Sequence, residues 1–159
     1  MKNIEITMSP AVSHLLQINA QAQSLETLEQ NLLDPISSTF DFTSEPEWQE
    51  FVNQVSNVWK ANHHLIVRNI PIDNGASTLL AALSLQARFK PYRGEKIVKH
   101  FKMSPWTDEL SHTIKDGHFH TDLNTATIPP AITVVHCIKS DPNPEMGVSR
   151  IALLQDLLN

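Results

Sequence analysis

The stretch Asp116-Gly117-His118-Phe119-His120-Thr121-Asp122-Leu123 decides how this chain is read. Asp116-Gly117 offers a turn, and Thr121 is a good strand residue. On an extended strand, side chains two apart share a face. His120 and Asp122 would then stand side by side, about 6 to 7 Å apart at the backbone. One imidazole and one carboxylate make two thirds of the two-His-one-carboxylate set that holds non-haem Fe(II) with positions left open. His118 would share that face but lie about 13 Å from Asp122. Metal–ligand bonds are only about 2 Å long, so a third donor is expected from elsewhere in the fold. His136, the only histidine after Asp122, shares a face with Ile132, Val134 and Ile138. A lone histidine there reads first as a satisfied core residue and only second as a ligand. His112, His118 and His120 form the one dense histidine cluster.

Downstream of this stretch, Pro129-Pro130 turns the chain into Ala131 to Ile138, AITVVHCI, a continuous apolar run that reads as a strand buried on both faces. Residues 141–147 carry two prolines and a glycine and read as a turn. Ser149 to Leu154 reads as a last strand. Upstream, residues 103–117 read as a long loop, of the kind that often carries function. Glu95 to Lys102 reads as a strand, Ser77 to Phe89 as a helix with Leu79, Leu80 and Leu83 inward, and His63 to Asn69 as a strand.

Earlier still, Trp48, Phe51, Val52, Val55, Val58 and Trp59 recur at helical spacing behind a Ser44/Glu47 capping-box pattern. Ser9-Pro10 reads as a helix cap with proline in the first turn. Leu15, Ile18, Ala22, Leu25, Leu28 and Leu32 follow in three- and four-residue steps until Pro35. They read as one long helix, or as two with a break near Asn19 to Ser24, covering the outside of a sheet. Helices early and strands late imply an α+β fold, with helices packed on a mainly antiparallel sheet.

The totals agree with a folded domain. The 159 residues suffice for a core. With 41% hydrophobic and 18% charged residues, the chain is too apolar and too sparsely charged for a disordered one. A net charge of −5 without a Lys/Arg cluster gives no reason to expect nucleic acid. No apolar stretch approaches a membrane span. The single cysteine, Cys137, excludes an internal disulfide and suits a reducing compartment; a cytoplasmic location is the expectation.

From about residue 45 onward the chain resembles the taurine dioxygenase/clavaminate synthase-like family of Fe(II)- and 2-oxoglutarate-dependent oxygenases. HLIVRNIPID (64–73) looks like the family's opening strand. HFHTDLNTATIPPAITVVHCI (118–138) looks like its metal strand and the strand after it. GVSRIALLQDL (147–157) looks like its Gly-Gly-x-Thr strand, with Met146 in place of the first glycine and Ser149 in place of the threonine. The resemblance implies Fe(II) and 2-oxoglutarate as cofactors, His120 and Asp122 as proximal iron ligands, and Ser149 as a hydrogen-bond donor to 2-oxoglutarate. It implies dioxygenase or hydroxylase chemistry on a small molecule. It also implies a double-stranded β-helix, a jelly roll of eight strands.

Only about half of those strands are legible in residues 1–159, read as a single oxygenase-like domain lacking the C-terminal half of the barrel. The distal histidine and the 2-oxoglutarate arginine of the family would lie beyond Asn159. Arg150 neighbours Ser149 and should point to the opposite face. Three readings follow. One is the N-terminal part, or half, of a split oxygenase, with a second polypeptide or a second copy completing the barrel. Another is a non-catalytic remnant that binds a partner. The third is a metal-dependent hydrolase opening His118-x-His120-x-Asp122, which departs from that motif in having Leu123 where a histidine belongs.

Overall fold

The computed structural model describes residues 4–33, 40–85, 97–101, 104, 106, 108, 118–122, 125–153 and 158. The chain divides into two compact units, Met1–Lys99 and His100–Asn159.

The first unit holds the regular structure. Strand β1 (Glu5–Thr7) leads into helix α1 (Pro10–Gln21), and helix α2 is Leu25–Leu33. Ser9 caps α1 as its sequence suggests: its hydroxyl accepts from the Val12 N–H at 3.2 Å, and Pro10 occupies the first turn. The apolar run is therefore two helices, not one. Ser24 opens the second, accepting from the Thr27 N–H at 3.1 Å. The break lets each helix choose its own face. In α1 the buried set is Val12, Leu16 and Ala20, while Ile18 is 51% exposed and Ala22 is exposed. The inward stripe expected through Ile18 and Ala22 is thus rotated. In α2, Leu28 and Leu32 go inward as expected.

A 3₁₀ turn at Asp41–Ser44 precedes helix α3 (Pro46–Asn62). The Ser44/Glu47 capping box does not form. Pro46 sets the start of the helix, so Glu45 takes the cap position, and the Ser44 hydroxyl donates back to the Asp41 carbonyl at 2.8 Å. Trp48, Phe51 and Val55 are buried on one side of α3. Phe40, Phe42, Trp48 and Phe51 form an aromatic chain with centroid spacings of 5.8, 4.9 and 5.6 Å. The helix ends where His63 turns left-handed, at φ 59°, and its N–H bonds the Trp59 carbonyl at 2.8 Å.

Strand β2 (Ile66–Arg68) then pairs with β1 in parallel, Glu5 opposite Ile66 and Thr7 opposite Arg68. Ile6 is buried and Val67 packs against the core, while Glu5 and Arg68 face outward as an ion pair with contacts of 2.7 and 2.9 Å. Asp73 starts helix α4 (Ala76–Ala81): its carboxylate accepts from the Gly75 N–H at 2.8 Å and the Ser77 N–H at 3.0 Å. Gly75 sits at φ +104°, a conformation that needs glycine. A 3₁₀ turn at Ala82–Ser84 extends α4, and Leu79 and Leu80 are buried.

A buried carboxylate closes this unit. Glu29, on α2 and 6% exposed, accepts through one oxygen from the N–H groups of Ile97 (2.8 Å) and Val98 (2.7 Å). It serves those two amides as a neighbouring strand otherwise would.

The second unit departs from expectation. Among the described residues it contains no helix and no laddered strand. The runs 118–122, 131–138 and 149–153, and likewise 97–101 at the boundary of the two units, do not form the expected strands. Strand propensity supplies a suitable side chain, but a strand exists only where a second backbone pairs with it. The α+β expectation therefore holds in a coarse sense, as helices with a small sheet. That sheet is two-stranded and parallel where a mainly antiparallel one was expected, and the described residues show no jelly roll. The turn at 141–147 is present. The Asn143 N–H donates to Asp141 Oδ1 at 2.8 Å, and the Glu145 N–H to Asn143 Oδ1 at 3.1 Å. Gly147 sits at φ +65°, a left-handed conformation that favours glycine, and a Cβ there would meet Asp141 Cβ tightly, at 3.2 Å. Residues 34–39, 86–96 and 109–117, which include part of two expected elements and His112, lie outside the described residues.

Candidate metal centre

His120 and Asp122 meet, although not on a laddered strand. Two-residue spacing along irregular backbone brings the two side chains to the same side, with His120 Nε2 3.3 Å from Asp122 Oδ1. Both stay accessible, with 70% and 43% of the side-chain surface exposed. The other ring nitrogen, Nδ1, lies 2.8 Å from the backbone carbonyl oxygen of His118. That oxygen can only accept, so Nδ1 carries a proton. A neutral imidazole has one N–H, and its lone pair then sits on Nε2, facing a carboxylate.

The consequence is electrostatic. Both ring nitrogens face oxygen acceptors, an arrangement that favours a proton or a cation between Nε2 and Oδ1. The His118 carbonyl, and after it the Asp122 charge, hold the imidazole above its ordinary value of 6.5, working against desolvation. With metal, the Nδ1–H to carbonyl bond is the outer contact that fixes the ligating tautomer.

The pair offers one nitrogen and one oxygen 3.3 Å apart. For bonds of about 2.1 Å, donors this far apart would subtend about 100° at an ion, between the octahedral and tetrahedral values. No third donor joins them: among the described residues no group of three or more His, Cys, Asp or Glu side chains is placed to hold a metal. His118 contributes its carbonyl, and His136 is half-buried. Ser149 is exposed, and no hydrogen bond or ion pair among the described residues joins it to His120 or Asp122.

Spacing alone pointed to the imidazole–carboxylate pair. The carbonyl that selects the tautomer has no side-chain signature and could not be read from residue types. No family model, no curated protein and no solved structure matches this chain. Among the described residues no helix is long and apolar enough to cross a membrane.

Proposed function

We propose that the chain carries the proximal part of a non-haem Fe(II) centre and works as an Fe(II)/2-oxoglutarate-dependent oxygenase on a small-molecule substrate, in the cytoplasm. The observation that supports this is the His120–Asp122 pair with Nε2 left to bind and Nδ1 held by the His118 carbonyl. His120 and Asp122 would hold the iron, with the remaining donors supplied by groups outside the described residues. Bound there with 2-oxoglutarate, Fe(II) would supply oxidative decarboxylation coupled to oxidation of a C–H bond. Ser149, exposed and bearing a hydroxyl, is the residue assigned to hydrogen-bond 2-oxoglutarate.

Anaerobic titration of the chain with Fe(II) and 2-oxoglutarate tests this reading. Chelation gives a weak visible charge-transfer band that His120→Ala and Asp122→Ala both abolish. Absence of the band, with the chain alone and with a second polypeptide supplying a histidine and an arginine, refutes it. One observation favours a second reading, a non-catalytic module completed by a partner. Ile128, Val135, Val148 and Ile151 all lie more than 60% exposed, apolar side chains that a partner could cover. Under that reading the partner binds equally well without iron.

A further inference from the structure

We draw no further inference here: the strongest candidate, the exposed apolar surface of the second unit at Ile128, Val135, Val148 and Ile151, carries nothing because nothing in the structure shows what covers it.

Discussion

Replacing Glu29 by alanine removes the acceptor for two amides at once. In the native unit one carboxylate oxygen receives the N–H groups of Ile97 and Val98, from a side chain that is itself buried. A hydrogen bond to a charged group contributes about 1.5–3 kcal/mol net, and an orphaned buried donor costs about 1–3 kcal/mol. Ile97 and Val98 are half-buried, so part of that loss is recovered by hydration. A net destabilisation of about 2–4 kcal/mol follows, against a typical total of about 5–15 kcal/mol. At a urea slope of about 1.5 kcal/mol per M, the unfolding midpoint should fall by about 2 M. Glu29→Gln keeps an acceptor oxygen and loses the charge, so it should cost roughly half as much. Hydrogen exchange adds a local reading: the Ile97 and Val98 amides should exchange about a hundredfold faster in the alanine variant while α3 amides change less. A midpoint within experimental error of wild type, together with unchanged exchange at these two amides, would refute the clamp.

The outward Glu5–Arg68 pair gives a pH dependence of known sign. The hydrogen bond from Arg68, reinforced by its charge, holds the Glu5 carboxyl below its ordinary value of 4.5. Its folded-state value is lower than the unfolded one, so its contribution is fully present above about pH 4.5 and disappears as pH falls through the folded value. Arg68→Ala should therefore narrow the difference between urea midpoints at pH 7 and pH 3, and added salt should do the same to the wild type; equal differences in both proteins would count against it. Gly75→Ala should cost about 1–2 kcal/mol from its left-handed backbone alone. The added Cβ would meet Val98 Cγ1 at an ordinary 3.5 Å, so a loss much above that range would mean that packing, not conformation, dominates.

Local signals were legible where chain neighbours decide the outcome. Ser9-Pro10 marks the start of α1, and the aromatic and valine spacing from Trp48 onward marks α3. The Ser44/Glu47 pattern misled because Pro46 competes for the same helix start and wins. Strand β1 went unread, although the alternation Ile4-Glu5-Ile6-Thr7 is present. It is too short to signal by itself and exists only through β2. The opposite error occurred at AITVVHCI, where strong strand propensity meets no pairing backbone among the described residues. At the candidate site, two-residue spacing placed His120 beside Asp122 for the right reason, side chains directed to one side, on the wrong element. A third donor depends on tertiary neighbours, which residue spacing does not encode.

The pairing of Glu5 with Ile66 has a consequence for synthesis on the ribosome. The first strand emerges more than sixty residues before its partner. At about 5–20 residues per second, that is a wait of roughly 3–12 s. During that interval Ile6 and Met8, both buried in the finished unit, have no sheet to join. Slowing translation between Leu33 and Ile66 lengthens that exposure and should raise the demand for chaperones at this end of the chain.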